Sequence, residues 1–141
     1  MTQESIFLLD TNAISDIIKV RSNAARREFE DALRHGTVAI SVLTKAELLF
    51  GFNKRPEAGR LRAAFEHLCE FVTILPWTEE SAESYSQLRL QLRQQNRTID
   101  TMDLLIASQA HALGAVLVTR DLGFDVVAGY VRIINWAIDL K

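Results

Sequence analysis

The chain has 141 residues, 48% of them hydrophobic, which is enough for one buried core and too short for two domains of ordinary size, so one unit over residues 1–141 is expected. Its 16 Lys and Arg against 18 Asp and Glu leave a net charge of −2, which excludes a protein that coats nucleic acid with an overall basic surface but leaves room for a local basic patch. Cys69 is the single cysteine, so there is no intramolecular disulfide and no cysteine metal site of familiar spacing. The first residues lack the basic and then apolar order of a secretory signal, and no apolar run approaches the roughly 20 residues of a membrane span. A soluble, cytoplasmic protein with no membrane partner is expected.

The apolar run Ile6 to Leu9 reads as a strand that ends at Asp10, and Ala13 to Val20 reads as the helix after it. Asn23 to Leu33 is helical with His35-Gly36 as its stop, Val38 to Val42 is the next strand, and Thr44 opens a helix running to about Lys54. Beyond Pro56, the positions Leu61, Ala64, Phe65 and Leu68 recur at helical spacing, and Phe71 to Leu75 is a strand. Ala82, Tyr85, Leu88 and Leu92 mark another amphipathic helix, and Thr101 to Leu113 a further one closed by Gly114. Val116 to Thr119 and Val131 to Ile134 are the last strands. Strands alternating with helices, without repeats or linkers, predict an α/β fold: a three-layer α/β/α sandwich around a mainly parallel sheet.

In such a sheet the working crevice lies beyond the carboxyl ends of the strands. Asp10 directly follows one strand and Asp121 lies shortly after another, while Glu47 and Asp103 fall in the first turns of helices that begin at the same edge. Four carboxylates brought together repel one another unless a cation sits among them. Oxygen ligands without Cys or His candidates favour Mg²⁺ or Mn²⁺, and such an ion supports phosphodiester hydrolysis. Each acid also has a structural reading. Thr44-Lys45-Ala46-Glu47 has the form of a capping box, with Glu47 bonded back to the N-cap amide. Asp103 suits the positive end of a helix dipole, Asp121 suits a turn, and Asp10 can cap the helix that follows it.

Arg89, Arg93 and Arg97 recur at i, i+4 and i+8, on one stripe if the helix persists that far; they form either a solvated face or, with Lys54-Arg55, a phosphate track. Leu48, Leu49, Phe50 and Phe52 wrap more of their helix than one stripe, which fits deep burial or a dimer contact. His35, His67 and His111 share no metal-ligand spacing and take no role, and Trp77 and Trp136 read as packing residues.

Taken in order, Leu9-Asp10-Thr11-Asn12, Ser41 with Thr44-Lys45-Ala46-Glu47-Leu48, Asp103-Leu104-Leu105-Ile106-Ala107, Val118-Thr119-Arg120-Asp121 and Asn135-Trp136 form a set that resembles the PIN-domain ribonucleases, in particular the VapC and FitB toxins of prokaryotic toxin–antitoxin pairs. The resemblance implies a metal site at Asp10, Glu47, Asp103 and Asp121, with Thr11, Asn12 and Thr119 as supporting polar residues. It implies an RNA substrate, a homodimer and a cognate VapB-like antitoxin carrying a DNA-binding domain. Two positions depart from the family's usual pattern: Asp100 stands where many relatives have Gly, and Asp121 stands where many VapC relatives have Asn, as FitB does not. Two other readings stay open. A non-catalytic PIN-like RNA-binding or adaptor domain would be expected to have lost acids, and an aspartate-dependent phosphatase would want a second Asp where Asn12 stands.

Overall fold

A computed structural model describes residues 4–140. Five strands, β1 (Ile6–Leu9), β2 (Thr37–Ser41), β3 (Thr73–Leu75), β4 (Val116–Val118) and β5 (Arg132–Ile134), form one sheet in the order β3-β2-β1-β4-β5, with every pair parallel. The helices are α1 (Thr11–Ile18), α2 (Asn23–His35), α3 (Val42–Lys54), α4 (Gly59–Leu68), α5 (Glu79–Gln94) and α6 (Thr101–Leu113). Alternation along each strand feeds two cores. Leu9, Val38, Ile40 and Val118 pack with α1 to α4, whereas Leu8, Ala39 and Leu117 pack with α5 and α6. The expected α/β/α sandwich is thus built, and its sheet is wholly parallel.

The chain runs outward from β1 to β2 and β3, then returns to place β4 on the other side of β1. This reversal of strand order lies between β1 and β4, and a crevice opens at such a switch point beyond the strand ends. Register keeps the ends level, with Leu9 opposite both Ile40 and Val118. Gly114, at φ 63°, closes α6 in the left-handed conformation expected of it. Gly36 sits against the Ser5 carbonyl, 2.7 Å from where a Cβ would stand, so the chain turns from α2 into β2 only without a side chain there.

Several boundaries differ from expectation; the first helix covers Thr11–Ile18 rather than Ala13 to Val20, because Asp10 caps it. The helix expected from Thr44 begins at Val42, and its N-cap is Ser41, whose Oγ accepts from the Leu43 amide at 3.1 Å. The capping-box reading of Thr44 and Glu47 is therefore wrong: Ser41 ends the strand and caps the helix at once, and Glu47 lies a turn too deep to reach the cap. The strand expected from Phe71 starts only at Thr73, because Glu70 and Phe71 continue the turn after α4 through bonds to the His67 and Leu68 carbonyls. Finally, α5 stops at Gln94 and Asn96 turns left-handed at φ 56°, so Arg97 lies outside the helix and no continuous stripe of three arginines exists. The Leu48 to Phe52 group divides, with Leu48 buried in the core and Phe50 62% exposed.

Candidate active site

Asp10 sits at the switch point, its amide bonded to the Val118 carbonyl at 3.1 Å, which joins the end of β1 to the end of β4. The side chain is buried, and both oxygens are engaged. Oδ1 accepts from the Ala13 amide at 2.8 Å, so Asp10 is also the N-cap of α1, and Oδ2 accepts from the Thr119 hydroxyl at 2.5 Å. That same hydroxyl oxygen accepts from the Asp121 amide at 2.9 Å. Thr119 thereby fixes the first and last acids relative to one another. Asp121 uses Oδ1 to cap a 3₁₀ turn over Leu122–Val127 through the Gly123 amide at 2.8 Å, so its turn role is real, and Oδ2 is left for the cleft.

Glu47 comes from the second turn of α3 and is touched at the limit of hydrogen bonding by the Thr11 hydroxyl, at 3.5 Å. Asp103 comes from the first turn of α6, half-buried and with no hydrogen bond holding its charge. Asp10, Thr11, Asn12, Thr44, Glu47, Asp103 and Asp121, with Ile106 and Phe124 below them, line one cleft of about 170 Å³. The four acids singled out in the sequence share this cleft, as do Thr11 and Asn12; Thr119 supports Asp10 from behind.

Burial and like charge act together there. Asp10 is pushed up to about 6, chiefly by burial, against the pull of the Thr119 and Ala13 hydrogen bonds and with help from the Asp121 and Asp16 charges. Asp103 is pushed up to about 6 by burial and then by Asp100, Asp121, Asp10 and Glu47. Glu47 rises through burial and the Asp100 charge, opposed by Thr11. Asp100 caps α6 through the Met102 amide at 3.2 Å and flanks the cleft, adding its field to it. The cleft is short of positive charge, and a cation is what the donor set accommodates. Among the described residues no three His, Cys, Asp or Glu side chains close around a single point.

Sequence reasoning overlooked Asp16 and Arg120. Asp16 is fully buried on α1 and receives Arg120 Nε at 2.7 Å and a second guanidinium nitrogen at 3.3 Å. This fork ties α1 to the segment between Thr119 and Asp121. The signal was present: Asp16 falls on the same helical face as Ala13 and Ile17, and an acid on an apolar face needs a partner. Arg89, Arg93 and Arg97, though not on one stripe, line a single cleft of about 540 Å³ with Tyr85, Asn96 and Thr101. Of the residues set aside, Trp136 is buried against Phe7, Trp77 donates to the Leu105 carbonyl at 2.9 Å, and His111 bonds the Ser84 hydroxyl at 2.8 Å.

The family model for the PIN domain matches residues 7–130. The chain belongs to the PIN-domain family. Within that family it is similar to the VapC ribonuclease Y4jK of Sinorhizobium fredii, 32% identical over 138 residues covering 93% of this chain and 98% of the relative. The tRNA(fMet)-specific endonuclease VapC of Shigella flexneri is 29% identical over 131 residues, again 93% of this chain and 98% of the relative. Among solved structures, VapBC2 from Rickettsia felis bound to a DNA fragment from their promoter superposes with a TM-score of 0.86 at 28% identity, covering 93% of this chain and 98% of that one. FitAcB from Neisseria gonorrhoeae gives a TM-score of 0.76 at 27% identity, covering 92% and 96%. The PIN fold accounts for the reversal of strand order that places Asp10 beside Asp121.

Proposed function

We propose that this PIN-domain protein is an Mg²⁺- or Mn²⁺-dependent endoribonuclease acting as the toxin of a toxin–antitoxin pair. The observation that carries the reading is the convergence of Asp10, Glu47, Asp103 and Asp121 in one cleft, two of them pushed up to about 6 by burial and one another. Asp10, Asp103 and Asp121 would hold the cation, directly or through its waters, and Glu47 would either join them or orient the attacking water. A divalent ion so held polarises the phosphodiester and lowers the pKa of a bound water. Thr119 keeps Asp10 and Asp121 in fixed relation, and the Asp16–Arg120 pair keeps the segment carrying Asp121 against α1. Arg89, Arg93 and Arg97 take the phosphates of the RNA chain. The first turns of α6 separate the two clefts, with Thr101 and Leu104 on the arginine side and Asp103 and Ile106 on the acid side.

The similarity to proteins named ribonuclease and endonuclease supports RNA as substrate, and the similarity to VapBC complexes supports a VapB-like antitoxin with a DNA-binding domain. An apolar groove of about 380 Å³ between α1, α2 and α4, lined by Ile17, Val20, Phe29, Leu33 and Phe71, offers such a partner a surface. Val42 and Phe50, exposed on α3, support a homodimer, which a solution mass at micromolar concentration checks. The central test is RNA cleavage by purified protein with Mg²⁺ or Mn²⁺ and with excess chelator. Cleavage is expected only with metal. Unchanged cleavage in chelator rejects the metal site, and RNA binding without cleavage under any metal favours the adaptor reading.

A further inference from the structure

Two buried side-chain oxygens among the described residues have no hydrogen-bond partner, Gln109 Oε1 and Thr44 Oγ1. Gln109 lies in the α6 core, where its amide nitrogen is satisfied by the Pro76 carbonyl at 3.0 Å. Thr44 differs because it is 1% exposed yet forms part of the wall of the acid cleft. A threonine inside a helix ordinarily donates to the carbonyl of the preceding turn. Thr44 is the third residue of α3, and the residue four before it, Ile40, belongs to β2, so no helical turn lies behind it. Glu47 follows one turn later on the same face and lines the same cleft. A buried hydroxyl without a partner is unfavourable in folding, and one set beside four carboxylates has a ready partner in water.

Building on the acid-cleft reading above, we propose that Thr44 is a positioning residue whose hydroxyl holds a water molecule among Asp10, Glu47 and Asp103. A hydroxyl both donates and accepts, so it orients such a water in a way that carboxylates, which only accept, do not. A divalent ion in the cleft keeps several waters, and a water held by Thr44 is preordered for that shell.

The test compares T44V, which keeps the branched shape and removes the hydroxyl, with T44S, which keeps the hydroxyl. Calorimetric titration with Mn²⁺ in the absence of RNA is expected to give about fivefold weaker binding for T44V, the factor one net hydrogen bond is worth, and near wild-type binding for T44S. At saturating Mn²⁺, kcat for RNA falls in T44V and recovers in T44S while KM is unchanged, a division that a packing defect does not produce. The metal-free melting temperature of T44V is expected to stay near that of wild type, because the hydroxyl bonds only a water and the branched shape is kept. Wild-type Mn²⁺ affinity and kcat in T44V overturn the proposal, and so does loss of the fold in T44V, which would assign the hydroxyl a structural partner. Wild-type protein that binds no Mn²⁺ overturns the acid-cleft reading itself, and this proposal with it.

Discussion

Asp103 is pulled in opposite directions by its position. The dipole of α6 favours a negative charge in the first turn by about 0.3–1 kcal/mol, yet burial and four neighbouring acids push its carboxyl up to about 6, so they outweigh the helix. In the unfolded chain an aspartate ionises at about 3.9. Folding therefore takes up a proton between about pH 4 and pH 6, and the stability this group contributes is full below about 4 and lost as pH rises through about 6. D103N removes the titration. Without metal, its melting temperature is expected to exceed that of wild type at pH 7, with the difference closing toward pH 4, while RNA cleavage is lost. A variant less stable than wild type at pH 7 would make Asp103 a structural residue. Asp10, Asp103 and Asp121 could be read from the sequence because each stands at or just beyond a strand end or at a helix start, whereas Glu47 lies a turn deeper in its helix than the sequence suggests. Asp16 and Arg120 could not be paired, because their separation of 104 positions is bridged only by the neighbouring placement of β1 and β4.

The start of α6 separates capping from charge. Asp100 accepts the Met102 amide and so holds the first turn, while its charge raises Asp103 and Glu47. D100A loses both effects and D100N loses only the charge, since Asn caps nearly as well as Asp. D100A is expected to lower stability by about 0.5–2 kcal/mol, and D100N to stay near wild type in chemical denaturation. Both are expected to bind Mn²⁺ no more tightly than wild type, because the lost charge attracts a doubly charged ion more than it attracts a proton. Equal destabilisation by the two variants would mean that the cap contributes nothing. The Gly114 stop of α6 was legible, since Gly after an apolar stretch is a strong local signal. The start of α3 was misread for an equally local reason: Ser41 and Thr44 both make good caps, and the β-branched Val42 belongs by propensity to the strand.

At the scale of the whole molecule, a net charge of −2 coexists with an arginine-lined cleft beside an acidic one. Phosphate contacts release counterions, so affinity for single-stranded RNA falls with salt by a slope of about −0.7 per contact. R93A/R97A is expected to flatten that slope by about 1.4, raising KM at low salt and leaving kcat at saturating RNA unchanged. An unaltered slope would place the RNA elsewhere. Periodicity revealed the layers and the parallel sheet, because alternation within strands and helical spacing between them leave few other architectures. It did not reveal the arginine cleft. Arg97 joins Arg89 and Arg93 through a left-handed turn at Asn96, and an Asn at positive φ leaves little trace in a hydrophobic pattern.

The hydroxyl of Thr119 bonds Asp10 across 109 positions of chain, and β4 has no neighbour nearer the N-terminus than β1. A polypeptide still emerging from the ribosome thus carries Asp10, Glu47 and even Asp103 without the acid that completes the group or the threonine that fixes it. Only when β4 has been released and has docked beside β1 are the acids assembled. On the proposed nuclease reading, the chain stays chemically disarmed during its own synthesis until β4 has been made and has docked.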